Sequence, residues 1–480
     1  MLVADPHPTP VLPPTFMRPR HADDEPISRT DLLDVFVAAE RPDPSTHLVG
    51  TELEKFGVRV PADGGPLLPI DYGDIANVLA ALCERHGWEI GPDHGIDGEV
   101  VELRRDGASI TLEPGGQLEL SGKPLQTIHQ TCGEFTQHYR ELHDVSLPLS
   151  LSWFAAGFHP FATRDELNWM PKGRYRVMRE FLPTRGARGL DMMLRTCTVQ
   201  ANFDFASEQQ CGSRMRVANA IAPMVAAMFA NSPHVEGRDT GLRTARSTVW
   251  TDVDNDRCGT PDFVFDGQPF SYERYVDWAI DVPMFFVKRD DRYHPHHVPF
   301  SQFMREGFTD AQGRHHTATW ADWITHMSTV FPEVRLKPFI EFRSADAVSS
   351  KYVCALPALL KGILYSDDAC AELWQRLGGL DAGARAQLWF EARHAGLSSA
   401  LLQPHAQRML QLAREGLERA DVRDDRGRTE ARFLDRLEPL VRGGQSPADL
   451  VLEEVGGHAG RTPEGQRALV RAHYFAGVEP

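Results

Sequence analysis

The chain has 480 residues, of which 42% are hydrophobic and 25% charged, the ordinary balance of a soluble globular protein. Its net charge of −16, from 51 basic and 67 acidic side chains, argues against a nucleic-acid partner, because such proteins usually carry a basic patch. No run of about 18 apolar residues is present, so the sequence predicts no membrane partner either.

The seven cysteines are scattered and form no Cys-x-x-Cys pair. An odd number of unclustered cysteines is typical of a reducing cytoplasm, where most thiols act as small buried hydrophobic groups. The sequence therefore predicts a cytoplasmic protein without a cysteine-based zinc site.

The N-terminal half alternates predicted helices and strands after a proline-rich segment, residues 1–27, that predicts a disordered tail. In chain order, the pattern predicts a helix over 28–40, a strand over 46–58, a helix over 74–88, strands at about 99–104 and 108–121, and a helix from about 124 to 145.

The C-terminal half contains fewer predicted strands. Strands are predicted over 191–205 and 334–346, with a buried helix over 214–232 between them. Beyond about residue 352 the pattern is helical. We therefore predict a core domain over 28–365 and a helical C-terminal region over 366–480 that packs on it. An α+β fold follows, with an antiparallel or mixed sheet covered by helices on one face.

Four strand segments carry polar side chains at a spacing of two, which places each pair on one face of its strand. The pairs are Glu52 and Glu54, Glu113 and Glu119, Gln200 and Asn202, and Glu341 and Arg343. Clustered carboxylates either raise one another's pKa or bind a cation. Oxygen ligands favour Mg²⁺ or Mn²⁺, and Mg²⁺ held by carboxylates usually also binds phosphate, which indicates ATP. The alternative is a solvated sheet face.

The segment between Glu113 and Glu119 contains Pro114-Gly115-Gly116. The two glutamates share a face only if no residue is inserted between them, and glycine within a strand often marks a bulge. We predict a bulge or bend there, with both carboxylates still on the concave face.

Eight ordered blocks between residues 46 and 365 resemble the plant and proteobacterial type of glutamate–cysteine ligase. They include GTELEKFG (50–57), TLEPGGQLELSG (111–122), MPKGRY (170–175), RSTVWTDVDNDRCG (246–259), DVPMFF (281–286) and FPEVRLKPFIEFRSAD (331–346). The resemblance implies a glutamine-synthetase-like core, a curved and mainly antiparallel sheet that holds metals on its concave face and helices on its convex face.

The same resemblance implies a reaction. ATP phosphorylates the side-chain carboxylate of L-glutamate, and the amine of L-cysteine attacks the γ-glutamyl phosphate to give γ-glutamylcysteine, the first committed precursor of glutathione. The expected partners are these small molecules alone, with the protein a monomer or a homodimer.

The resemblance also implies roles for single residues. The implied metal ligands are Glu52, Glu54, Glu113, Glu119, Gln200 and Glu341. Arg343, with Glu341, is implied at the transferred phosphoryl group, which suits its planar guanidinium. The implied substrate-binding residues are Arg174, Arg246, Trp250, Phe285 and Asn202.

Phe285 departs from the resemblance, because a tyrosine usually follows the block DVPM. The lost hydroxyl leaves open a γ-glutamyl ligase that uses another amine acceptor. A non-catalytic binding relative is a third hypothesis, against which the retained glutamates argue.

Overall fold

The computed structural model describes residues 21–456 and 459–480. It contains one large sheet, several two-stranded sheets and helices that are distributed along the sequence. The strands are β1 (Val49–Arg59), β2 (Leu68–Pro69), β3 (Glu89–Ile90), β4 (Glu102–Arg105), β5 (Ala108–Leu112), β6 (Leu118–Ser121), β7 (Leu151–Phe154), β8 (Val199–Phe203), β9 (His234–Val235), β10 (Arg238–Asp239), β11 (Cys258–Gly259), β12 (Phe286–Arg289), β13 (Arg292–Pro295), β14 (Phe308–Thr309), β15 (His315–His316), β16 (Phe331–Pro332), β17 (Val334–Leu336), β18 (Ile340–Phe342) and β19 (Tyr474–Gly477).

The α-helices become more frequent toward the C-terminus. They are α1 (Asp34–Val37), α2 (Tyr72–His86), α3 (Ile128–Ser146), α4 (Gly173–Phe181), α5 (Gly189–Arg195), α6 (Glu208–Met228), α7 (Ala245–Val249), α8 (Tyr272–Asp281), α9 (Phe300–Glu306), α10 (Trp320–Met327), α11 (Ala355–Leu364), α12 (Asp367–Leu377), α13 (Ala382–His394), α14 (Gln403–Ala420), α15 (Glu438–Gly443), α16 (Pro447–Val455) and α17 (Pro463–Ala472).

The large sheet is antiparallel throughout and is organised around β1. Its main path runs β17-β18-β8-β1-β6-β5-β4-β3, and the far end of β1 also pairs with β7 and β2. The predicted α+β class with a mainly antiparallel sheet is thereby confirmed.

One face of the sheet forms the core. Leu53 of β1 lies opposite Leu120 of β6 and Val199 of β8, and all three side chains are buried. Helix α11 packs against β1 and β8, and α6 packs against β17 and β18. Because side chains alternate across a strand, the residues between these apolar positions point to the opposite face, where the candidate site lies.

Local signals account for the predicted helix over 74–88, which corresponds to α2. Helix α2 begins after Asp71, whose side chain accepts from the Asp74 N–H, while the Asp74 side chain accepts from the Asp71 N–H. It ends at Gly87 with a φ of 68°, a conformation that glycine adopts without steric cost.

Three predicted strands need correction. Residues 108–121 form two strands, β5 and β6, which pair with each other as a hairpin. The first residues of the segment 191–205 belong to helix α5 (Gly189–Arg195), and β8 begins only at Val199. Residues 334–346 form a second hairpin, β17 and β18. In the first and third cases the alternation of apolar and polar residues continues through a tight turn, so the pattern does not mark the reversal.

The two chain ends also differ from the prediction. Residues 1–20 of the predicted tail lie outside the described residues, but 21–27 contact the fold, with the Ile27 N–H bonded to the Ala318 carbonyl. The predicted first helix is reduced to a short turn and α1. The C-terminal region ends in a strand, β19, that pairs with β7 of the sheet.

Two structural findings bear on the cysteines and on membranes. Cys132 of α3 and Cys354, which precedes α11, form a disulfide with a Cα–Cα distance of 5.9 Å, so these two thiols are not the isolated groups that the sequence predicts. Within residues 21–456 and 459–480, no helix combines the length and the apolar character needed to cross a membrane.

Candidate active site

A cavity of about 440 Å³ opens on the polar face of the sheet. The strand register explains why its polar residues meet: Glu52 lies opposite Gln200 of β8, and Glu54 lies opposite Glu119 of β6. Directly opposed side chains project from the same face of a sheet. The predicted site residues that line the cavity are Glu52, Glu54, Glu113, Glu119, Arg174, Gln200, Arg246, Trp250 and Arg343.

Glu113 reaches this face because the Pro-Gly-Gly segment is the turn of the β5–β6 hairpin. The Glu113 N–H bonds to the Gln117 carbonyl at 2.9 Å, which continues the pairing of β5 with β6. The predicted bulge or bend is a hairpin turn, and Glu113 and Glu119 both line the cavity.

The two glycines of that turn have separate physical reasons. A Cβ on Gly115 would lie 2.5 Å from the Leu194 carbonyl oxygen, which is too close for any side chain. Gly116 has a φ of 82°, in the left-handed region that favours glycine. The turn thus packs directly against the end of α5 while it carries Glu113 into the cavity.

We call Glu52, Glu54, Glu113 and Glu119 the carboxylate quartet. Burial, together with the charges of Glu341 and Glu119, raises the pKa of Glu52 to about 7. Burial and the neighbouring Glu113 raise the pKa values of both Glu54 and Glu119. The quartet therefore carries more negative charge than its surroundings compensate, which is the electrostatic condition for a cation site.

Hydrogen bonds to the quartet come mostly from neutral donors. Glu54 accepts from the Thr198 N–H at 2.9 Å, and Glu119 accepts from the Ser121 hydroxyl at 2.5 Å. Glu52 accepts from the Asn202 amide at 3.0 Å. These donors fix the orientation of the carboxylates and leave their charge in place.

Glu341 has different surroundings, which we call the cation triad: Arg335, Lys337 and Arg343. Arg335 makes two hydrogen bonds to the Glu341 carboxylate, at 2.5 and 3.0 Å, and Lys337 and Arg343 approach it to 2.7 and 3.1 Å. Burial alone would raise the pKa of Glu341, but the three cations together hold it well below its ordinary value.

These contacts change the expected role of Glu341. Both of its oxygens already form ion pairs, and its side chain is not part of the cavity lining. Its role as a metal ligand stays a prediction that requires at least one of these ion pairs to open. Its observed role is to hold Arg343 at the cavity.

Gln200 lines the cavity beside Arg343. Its side-chain oxygen accepts from Arg343 Nη1 at 3.0 Å, so the atom predicted to bind a metal instead orients the guanidinium. Burial opposes the charge of Arg343, while Glu341 and Glu52 raise its pKa above the ordinary value. A fixed guanidinium at a cavity wall suits the recognition of phosphate oxygens.

Arg174, Arg246 and Trp250 all line the cavity, and their substrate-binding role stays a prediction. Arg246 is buried on α7 and donates to the Arg343 carbonyl at 2.9 Å. Arg174 Nε and Trp250 Nε1 are buried and have no hydrogen-bond partner among the described residues. Buried donors of this kind are usually satisfied, so both are available to a ligand.

Two predicted substrate-binding residues lie outside the cavity lining. The Asn202 amide is used to orient Glu52. Phe285 is buried with 1% exposure, and its ring centroid lies 3.9 Å from the guanidinium carbon of Arg257. In this structure Asn202 contacts Glu52, and Phe285 packs against Phe331, which does line the cavity. Direct substrate contact by either residue stays a prediction.

Several cavity residues escaped the sequence analysis, among them Lys172, Tyr175, Phe331, Arg335 and Lys337. Arg335 lies opposite Glu341 in the β17–β18 register and belongs to the same face. The sequence places Arg335 on this face if residues 334–342 are interpreted as a hairpin instead of one strand. Lys172 precedes α4 and carries no strand pattern, so its proximity to the sheet depends on tertiary packing.

Known proteins resemble this chain over most of its length. The profile of glutamate–cysteine ligase family 2 matches residues 48–471. The chain belongs to this family. It is 39% identical over 444 residues to the chloroplastic glutamate–cysteine ligase of Arabidopsis thaliana, covering 91% of this chain and 82% of the relative. It is also 39% identical over 433 residues to the chloroplastic glutamate–cysteine ligase B of Oryza sativa subsp. japonica, covering 89% and 84% of the two chains.

A solved structure supports the fold of this family member. The glutamate–cysteine ligase of Francisella tularensis in complex with AMP aligns with a TM-score of 0.51 at 15% identity, and the match covers 90% of this chain and 89% of that one. At this identity the likeness concerns the fold.

Proposed function

We propose that this protein catalyses the ATP-dependent ligation of L-glutamate to L-cysteine, which gives γ-glutamylcysteine in the first step of glutathione biosynthesis. Membership of the glutamate–cysteine ligase family supports the reaction. The structural observation that carries the proposal is the juxtaposition of the carboxylate quartet with Arg343 in one cavity.

We propose that the quartet binds Mg²⁺, with Mn²⁺ as a substitute. Burial and the charge of Glu113 raise the pKa values of Glu54 and Glu119, and this all-oxygen donor set fits a hard divalent cation. Glu52, Glu54, Glu113 and Glu119 would hold it. When bound, the cation neutralises charge between the quartet and the phosphates of ATP.

The remaining cavity residues position the two reacting groups. In the first step, an oxygen of the glutamate γ-carboxylate attacks the γ-phosphorus of ATP, and the bond to the ADP oxygen breaks. Arg343, held by Glu341 and Gln200, faces the transferred phosphoryl group. Positioning and charge stabilisation account for most of the catalysis of such a transfer.

In the second step, the cysteine nitrogen attacks the acyl carbon, phosphate leaves, and the nitrogen gives up a proton. Arg174 and Arg246 offer guanidinium groups to the substrate carboxylates at the cavity wall. Trp250 adds an apolar surface and an indole N–H without a partner among the described residues.

Cysteine is the acceptor that we propose. The alternative of another amine rested on Phe285, and this side chain lies behind Phe331 instead of at the cavity surface. A hydroxyl group at position 285 would therefore not contact the acceptor amine substrate directly.

The test is ADP release by the purified protein with MgATP, L-glutamate and a panel of amino acids and amines, combined with mass spectrometry of the product. We expect ADP and γ-glutamylcysteine in equal amounts with cysteine. Equal or faster turnover with a different amine would overturn the assignment of the acceptor.

A cytoplasmic location and a monomeric or homodimeric state are further proposals. The first rests on the five cysteines that are free thiols in the structure, Cys83, Cys197, Cys211, Cys258 and Cys370. Cell fractionation tests the location, and light scattering of the purified protein tests the oligomeric state.

A further inference from the structure

A second groove adjoins the active-site cavity. It has a volume of about 830 Å³ and lies between residues 92–96, the start of α4 and the β12–β13 hairpin. Asp93, Lys172 and Arg174 line both the groove and the cavity, so the two spaces are continuous.

Cationic side chains dominate the lining of this groove. We call it the cationic groove and define it by Lys172, Arg174, Arg176, Lys288 and Arg292. Its two carboxylates are already paired with two of these cations, Asp93 with Lys172 at 3.7 Å and Asp291 with Lys288 at 3.4 Å.

The other three cations are uncompensated. Arg174, Arg176 and Arg292 form no ion pair with any residue of the described ranges, and Arg176 and Arg292 are exposed. His94, Tyr293 and His294 are the other polar side chains of the lining and add no negative charge. The groove therefore presents a positive field on a chain whose net charge is −16.

This field resolves an electrostatic difficulty of the proposed reaction. L-Glutamate carries a net charge of −1 at neutral pH, and the carboxylate quartet repels it. A cleft lined by one sign of charge concentrates ligands of the opposite sign and raises their rate of association. The cationic groove provides such an approach and ends at Arg174, one of the two arginines proposed to hold substrate carboxylate.

The position of the groove favours L-glutamate over ATP as the substrate that enters through it. It opens beside the β5–β6 turn, where the Tyr175 hydroxyl bonds to the Leu112 carbonyl at 2.5 Å and the Met170 N–H to the Pro114 carbonyl at 2.9 Å. Arg343 follows β18, which β8 and β1 separate from β6 in the sheet order. The groove and the proposed phosphate site thus lie on opposite sides of the quartet.

We infer that the cationic groove is the entry subsite for the anionic amino-acid substrate, an α-amino dicarboxylate, and that Arg176 and Arg292 draw it toward Arg174. This inference rests on the proposed function and adds to it the route by which one substrate arrives.

The test compares a double variant, Arg176→Gln with Arg292→Gln, with a matched control, Arg419→Gln with Arg426→Gln, which removes two exposed arginines of the C-terminal region. The measurement is kcat/KM for glutamate by ADP release at low and high ionic strength. We expect the groove variant to lose about three- to tenfold in kcat/KM for glutamate at low salt, an effect that added salt screens. We expect kcat/KM for MgATP to change less than about twofold.

A charge-retaining variant, Arg176→Lys with Arg292→Lys, separates charge from shape and folding. It should keep most of the wild-type kcat/KM for glutamate. An unchanged kcat/KM in the glutamine variant, an equal loss in the lysine variant, or an equal loss for MgATP would each overturn the inference. Failure of the proposed function has a different signature, the absence of glutamate-dependent ADP release in the wild-type protein.

Discussion

The carboxylate quartet and Glu341 lie on the same face of the same sheet, but the charges that surround them differ. The carboxylate quartet consists of glutamates that repel one another and accept mostly from neutral donors. Glu341, across the sheet, is surrounded by the cation triad. Residue type and strand parity therefore predict the location of a carboxylate, while its cross-strand neighbours decide whether it is free to bind a cation.

The largest expected effect comes from removing one member of the quartet. Glu113→Gln should lower the rate of ADP formation roughly 10²- to 10³-fold, because a lost metal ligand costs several kcal/mol of transition-state stabilisation. A coupled assay with glutamate and cysteine measures it, with Glu84→Gln, on the exposed side of α2, as the control. Wild-type activity in Glu113→Gln would remove that residue from the metal site.

Glu341→Gln should act mainly on stability. It leaves the buried Arg335 and the partly buried Lys337 and Arg343 without their counter-charge. Breaking a buried pair in this way costs about 3–5 kcal/mol. Denaturant unfolding of the metal-free protein measures the loss. Glu113→Gln should cost little by the same measure, because it removes one of several mutually repelling charges; equal losses in the two variants would contradict the comparison.

The contributions of Glu52, in the quartet, and of Glu341 to the free energy of unfolding should depend on pH with opposite signs. The pKa of Glu52 is raised to about 7, so its contribution to the stability of the metal-free protein is complete below its ordinary pKa and is lost as pH rises through 7. The pKa of Glu341 is lowered, so its contribution is present above its ordinary pKa and is lost in acid.

Since a bound metal requires ionised carboxylates, Mg²⁺ should raise Tm more at pH 8 than at pH 6. Thermal unfolding with and without Mg²⁺ checks this, and an equal or smaller rise at pH 8 would argue against ligation by the quartet.

The smallest expected effect concerns the boundary between the regions. Asn202 lies opposite Glu341 in the β18–β8 register and donates to Glu52. Asn202→Ala removes a hydrogen bond worth about 1 kcal/mol, which corresponds to at most about tenfold weaker Mg²⁺ activation. A titration of activity against Mg²⁺ tests it. A large change in the KM for glutamate with unaltered Mg²⁺ dependence would contradict this expectation and support Asn202 as a substrate-binding residue.

The sequence predicts the polar face well because that face depends on local alternation. Glu52 and Glu54 on one long strand follow directly from a spacing of two, and the register then brings Glu119 and Gln200 beside them. The sequence could not distinguish a bulge from a turn at Gly115, because the deciding contact is with the Leu194 carbonyl of a distant helix.

The features that the sequence does not predict share one cause. Phe285 packs against Phe331 and the Asn202 amide donates to Glu52, and neither contact follows from position along the chain. Arg335 and Lys337 belong to a hairpin whose alternation resembles that of a single strand. Such contacts are set by tertiary packing, which a single sequence does not specify.

We propose that the carboxylate quartet, with a divalent cation, supports γ-glutamyl transfer from ATP-activated glutamate to cysteine. A direct test measures the γ-glutamylcysteine and ADP that the metal-stripped protein forms as Mg²⁺ is added back in the presence of ATP, glutamate and cysteine. We expect both products to appear in equal amounts and only as Mg²⁺ is restored. Product formation that is independent of any divalent cation would contradict it.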